Sequence, residues 1–243
     1  MLALKSSALM FMLLVGVTLA QTPSTQTEQH TRLKVAGSWQ EGKAICDSSD
    51  PQNPQVVLLT APQNQQVQLW WWNKKTPHNL LHQQYHLGEP EGAAGSVYEP
   101  LVWSGAATGD AYLRSSQPGA QAHPERVFTT PYTSIRWNNH TVSCRWFEGI
   151  TFMGVTQKRS VYITLQTNGQ YQYQTFDFAS NSSKPSLTLK NGKTSGGDNP
   201  VYTFTNGRYV YRVHTASTPA VEVFKSNRLL LKESFVAFTT AQP

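Results

Sequence analysis

Cysteine and charge are the scarcest resources of this chain: 243 residues hold two cysteines, Cys46 and Cys144, and only 14% charged side chains. The two cysteines form no Cys-x-x-Cys pair, which removes the usual spacing of a structural zinc site. No glycine-rich phosphate loop, Gly-x-Ser-x-Gly elbow or His-Glu-x-x-His stretch occurs, so the common motifs for nucleotide, acyl-transfer and zinc-protease chemistry are missing. The five Asp and nine Glu are too scattered to nominate an acid–base pair. Long apolar runs are absent too. The main one, Ala8 to Val17, is ten residues, about half of what a membrane-spanning helix requires.

That run explains itself from its flanks. Lys5 precedes it, and Thr18 and Ala20 place small residues at −3 and −1, the layout of a cleavable export signal over residues 1–20. A mature chain starting at Gln21 would reside in a periplasm or outside the cell, with no transmembrane segment left after cleavage. In that oxidising setting Cys46 and Cys144 are expected to form a disulfide, two buried thiols being the alternative. Residues 21–32 carry little large apolar character and read as a flexible leader. Residues 33–240 read as a single β-rich domain, with a possible subdivision near 155–160.

What is abundant is aromatic: seven Trp, ten Tyr and ten Phe, too many for a disordered chain. Alternating runs predict strands at Leu33–Trp39, Gln55–Thr60, Gln66–Trp72, Ser160–Gln166, Gln170–Gln174, Pro219–Phe224 and Arg228–Phe238. In the hairpin around Asn168-Gly169 only a three-residue loop gathers apolar side chains on one face, pairing Leu165 with Tyr171 and Ile163 with Tyr173. At Asn206-Gly207 a short loop is expected to pair Phe204 with Tyr209 and Tyr202 with Tyr211. The two segments repeat: Asn168-Gly-Gln-Tyr-Gln-Tyr173 matches Asn206-Gly-Arg-Tyr-Val-Tyr211, so the C-terminal half reads as a duplicated β-meander whose hairpin layers pack on each other. One short docked helix is predicted over 77–87, from Thr76 as cap, Pro77 as first residue and Gly88 with Pro90 as stop. The fold class expected is all-β, an antiparallel sandwich or open barrel.

Three sets of residues carry candidate chemistry. On the predicted helix His78, His82 and His86 fall on one stripe, where a pair could hold zinc or copper with a ligand from elsewhere. Along the strand Trp70 and Trp72 face one side and Trp71 the other, and an exposed member of the three could stack on a sugar ring. Tyr98 and Trp103 are isolated aromatic anchors in a Gly/Ala/Ser/Pro-rich stretch and are further ligand-binding candidates. The basic run from Lys184 to Lys232 contributes a positive face that attracts anions or simply protects sheet edges.

Gly37-Ser38-Trp39 is similar to the short Gly-x-Trp element that opens lipocalin barrels. The likeness covers these three residues, and the chain is longer than an eight-strand barrel needs, so it implies no function here. The expectation is an exported, non-catalytic β-domain that binds an envelope polymer, a glycan or a small apolar ligand, with nucleic acid not expected. The alternatives are a secreted metal-dependent hydrolase using the histidines, and a structural surface protein.

Overall fold

A computed structural model of the chain describes residues 29–35, 37–93, 95–103, 111–116, 132–197, 199–216 and 218–241. The expected signal, and the leader as far as residue 28, lie outside the described residues. Among the described residues there are nineteen strands, all antiparallel, and no α-helix.

The first half contains β1 (Gln29–Val35), β2 (Ser38–Asp47), β3 (Gln55–Thr60), β4 (Gln66–Asn73), β5 (Leu81–Leu87), β6 (Glu91–Ala93), β7 (Ser96–Val102), β8 (Tyr112–Ser116), β9 (Tyr132–Trp137) and β10 (His140–Ser143). The second contains β11 (Ile150–Val155), β12 (Arg159–Leu165), β13 (Tyr171–Asp177), β14 (Leu187–Ser195), β15 (Val201–Asn206), β16 (Tyr209–His214), β17 (Ala220–Lys225), β18 (Arg228–Ser234) and β19 (Ala237–Ala241). A single 3-10 turn, Phe178–Ser180, is the one helical feature of the described residues.

Two of the strands change partners midway at a glycine. The start of β2 pairs with β1, then from Gly42 the strand pairs with β3, with a register shift between Gly42 and Ala44. A Cβ on Gly42 would lie 2.6 Å from the Thr31 methyl, so β1 can cross this corner only over a residue without one. Likewise β14 leaves β13 after Gly192 and joins β15 from Lys193. There the Phe204 ring rests directly on the glycine backbone.

The strands thereby form layers around three apolar cores. Val57, Leu59, Leu69, Tyr85, Leu113, Ile135 and Trp137 fill the first, enclosed by β2–β5 and β7–β10. Phe152, Ile163, Tyr173, Phe204 and Phe235 fill the last, between β11–β13 and β15–β17. The middle core joins the two halves, packing Ile45, Val56, Leu58 and Trp72 against Met153, Val155, Tyr162, Phe176 and Phe178. Because β3 and β11 lie between two cores, they are buried along nearly their whole length instead of on alternate residues.

The hairpin register argued for β12–β13 is the one observed, with Leu165 opposite Tyr171 and Ile163 opposite Tyr173. The repeated hairpins do pack together: Tyr171 meets Tyr202 at 5.1 Å and Tyr173 meets Phe204 at 5.4 Å between ring centroids. The β15–β16 register needs correction, since Phe204 pairs with Tyr211 and Asn206 with Tyr209. A slide of two residues leaves every side chain on its own face, so hydrophobic alternation cannot discriminate the two registers.

Three further expectations are corrected. The leader ends earlier than residue 32, because Gln29–Leu33 pairs with β19 and Thr31 is buried. The single strand expected over Leu33–Trp39 is two, turning at Gly37. The helix over 77–87 does not form: Thr76 and Asn79 close a turn, and Leu81–Leu87 is β5, paired with β4 along six residues. The capping signals at Thr76-Pro77 are equally turn signals, and Gln83, Tyr85 and Leu87 supply the inward half of a period-two pattern. No helix among the described residues is long and apolar enough to cross a membrane.

Candidate functional site

Loss of the helix dissolves the histidine stripe. His78 sits in the turn before β5, while His82 and His86 stand on the outer face of that strand, four residues and about 13 Å apart. Among the described residues, no group of three His, Cys, Asp or Glu side chains comes close enough to hold a metal ion.

The tryptophans separate as strand alternation requires. Trp72 is buried in the middle core. Trp71 packs on the first core with its ring centroid 5.5 Å from that of Trp137. Trp70 is only partly buried and stacks on His82, directly opposite in register, with centroids 4.5 Å apart and planes 20° from parallel. Its indole Nε1 donates to Gln68 Oε1 at 3.2 Å. Tyr98 lies elsewhere, edge-on to Tyr112 and under the Arg114 guanidinium. Trp103 is 47% exposed at the end of β7 and joins neither group.

Following the Trp70 face along β4 leads into a cleft of about 440 Å³ between β4–β5 and the start of β2. Gln66, Gln68 and Gln84 form one wall, and Trp39, Gln40 and Glu41, just before the Gly42 corner, form the other. Gln63 and Thr60 line its floor. The geometry follows from local chemistry. Asn64 and Gln65 both adopt positive φ, closing a two-residue turn that holds Gln63 against Gln66 through reciprocal 2.9 Å backbone bonds. Regular β3–β4 pairing stops at Leu59, and the Gln68 amide donates instead to Thr60 Oγ1 at 2.9 Å. Gln84 Nε2 donates to Gln66 Oε1 at 2.7 Å and Gln68 Oε1 accepts from Trp70 Nε1, so this wall is a row of side-chain amides, two of them linked. The sequence signal was the alternation Gln66-Val67-Gln68-Leu69, whose glutamines mark a solvated polar face. Trp39 was visible as the end of a strand and as the last residue of the Gly-x-Trp element, neither of which marks a cleft.

At the opposite end of the middle core lies a buried ionic cluster. Asp47 is 0% exposed and accepts from Arg145 Nε at 3.1 Å and from the Tyr162 hydroxyl at 2.9 Å. It also pairs with the Lys74 ammonium, which donates to Ser48 O at 2.7 Å as well. Arg145 stacks on the Phe176 ring at 3.6 Å. Burial pulls the Lys74 pKa below the ordinary lysine value, against the opposing pull of Asp47. Burial likewise pushes the Tyr162 hydroxyl well up, and the Asp47 charge adds to it. The Cys46–Cys144 disulfide is formed and immediately precedes both Asp47 and Arg145. With the Ser48–Cys144 bridge, it joins the end of β2 to the end of β10 and so closes the wall around the first core.

Compared with known protein families and with curated protein sequences, the chain matches none.

Proposed function

We propose that this chain is an exported, non-catalytic binding protein whose glutamine-lined cleft holds a saccharide. The observation that carries the reading is the row Gln66, Gln68 and Gln84 facing the Trp39 ring in the cleft, with the Trp70–His82 stack next along β4, outside the cleft lining. A primary amide both donates and accepts, which suits hydroxyl groups that do the same. Flat rings beside such a row offer an apolar face to the C–H side of a sugar. Of the residues lining the cleft only Glu41 is a carboxylate, whereas glycoside hydrolysis by the usual route uses two; this favours binding over cleavage. Export rests on the signal-like residues 1–20, and the disulfide agrees with an oxidising destination.

Tryptophan fluorescence titrated with a panel of neutral oligosaccharides tests the reading. At least one saccharide should shift the emission of the wild type saturably. His82→Ala, at an exposed position, should weaken that binding about tenfold, the cost of roughly one good contact, without moving the thermal midpoint. Trp103→Ala should bind as the wild type does. No saturable response to any saccharide, or equal weakening by both substitutions, would overturn the proposal.

A further inference from the structure

A second cleft, of about 520 Å³, opens beside the buried ionic cluster and is lined by Lys74, Lys75, Lys158, Arg159, Asp177 and Asn181 among others. Its charges can be followed to their partners. Arg159 spends Nε and Nη2 on Glu233, at 3.1 and 3.2 Å, and Nη1 on Asp177 at 3.1 Å. Lys74 and Arg145 share Asp47. Five cations thus stand against three carboxylates, Asp47, Asp177 and Glu233, and the surplus is two positive charges.

Both lysines without an ion-pair partner among the described residues, Lys75 and Lys158, are exposed at the rim. Each sits on a turn whose backbone is pinned. The Lys75 amide donates to Asn73 Oδ1 at 2.9 Å, and the Lys158 amide donates to Thr156 Oγ1 at 3.0 Å. Lys158 O also accepts from the Phe178 amide at 2.8 Å, which ties its turn to the 3-10 segment. Two lysines therefore reach one mouth from pinned backbone, one from each half of the chain. Behind them the Lys74, Arg145 and Asp47 cluster has one cation in excess and the Arg159, Asp177 and Glu233 set one carboxylate in excess, so these offset each other and Lys75 with Lys158 make the field at the mouth positive.

We propose that this cleft is a binding site for a doubly charged tetrahedral oxyanion, free sulfate or a phosphate group that is free or carried as a monoester on a saccharide. Such a group offers two charges for the two that are unmatched and enough oxygens to accept from both ammonium groups. An anion there would also relieve the burial penalty on protonated Lys74, whose pKa is lowered in the unliganded chain. The inference is independent of the saccharide cleft, which lies at the other end of the middle core.

Calorimetric titration of the full chain at constant ionic strength, with sodium sulfate, inorganic phosphate and a phosphate-monoester disaccharide as probes, decides it. The wild type should bind at least one of them over chloride. Binding of both inorganic ions and the ester, or of the ester alone, supports the site and tells whether a saccharide must carry the group. Lys75→Ala/Lys158→Ala should bind at least about tenfold more weakly. The charge-matched control Lys190→Ala/Lys193→Ala, exposed on β14, should bind as tightly as the wild type. Equal loss in both variants would reduce the effect to net charge and overturn the site. So would failure of the wild type to distinguish any probe from chloride.

Discussion

Asp47→Ala should lower the unfolding free energy by about 3–5 kcal/mol, the usual cost of stranding buried charge. The substitution leaves Lys74 and Arg145, 8% and 9% exposed, without their common carboxylate, and deprives the Tyr162 hydroxyl of its acceptor. Against a typical total of about 5–15 kcal/mol, that is roughly a fifth of the stability or more. Urea unfolding followed by far-ultraviolet circular dichroism measures it as a fall in midpoint at constant slope. Asp47→Ala/Lys74→Met should recover part of the loss, because it removes one stranded cation and keeps most of the volume. A loss under about 1 kcal/mol for Asp47→Ala, the worth of a surface pair, would mean the cluster is solvated and does not join the two halves.

Removing the disulfide should cost a comparable amount. Cys46 and Cys144 are 98 residues apart in sequence, so chain entropy sets a ceiling near 4–5 kcal/mol for the cross-link, and losses of about 2–5 are typical. Cys46→Ala/Cys144→Ala is the variant to measure, by the same urea titration. A second consequence follows from the positions of Asp47 and Arg145, each one residue beyond a bridged cysteine. Without the bridge their alignment loosens, so Asp47→Ala should cost less in the cysteine-free background than in the wild type. A double-mutant cycle should therefore show coupling of about 0.5–3 kcal/mol. Strict additivity would show that cluster and bridge stabilise separate parts of the chain.

Much of the fold could be read from residues because alternation is a local signal. Gln55–Thr60 is a strand as expected, β4 runs one residue past the predicted Trp72, and the β12–β13 register came from asking which loop gathers Leu165, Ile163, Tyr171 and Tyr173 on one face. The failures have physical causes. The segment after Thr76 carries helix-cap residues that a turn uses equally well, and its strand is held by pairing with β4, which no local pattern reveals. The β15–β16 slip by two residues preserves both faces and was invisible to patterning. The corners at Gly42 and Gly192 depend on which strand crosses which, a tertiary fact.

The candidate sites were legible in fragments. Trp70 and His82 were both singled out, for different chemistry, and their stacking follows only from the β4–β5 register. The glutamines drew no notice because uncharged polar residues are abundant throughout the chain. The basic run from Lys184 to Lys232 is partly spent within its own sheet, Lys232 pairing with Glu222 at 2.9 Å and Arg212 lying over Phe224. The unmatched cations Lys75 and Lys158 came instead from two turns 83 positions apart. Asp47, Lys74 and Arg145 could not be assembled from sequence, since the ends of β2, β4 and β10 meet there only in the folded chain.

Saccharide binding by this chain depends on the amide row of Gln66, Gln68 and Gln84. An immobilised saccharide array probed with the wild type and with Gln68→Ala/Gln84→Ala measures this directly, with near-ultraviolet circular dichroism confirming that both are folded. The expected result is a defined subset of saccharides retained by the wild type and lost, by about tenfold or more in affinity, in the double variant. Retention of no saccharide by the wild type, or identical retention by both proteins, would contradict it.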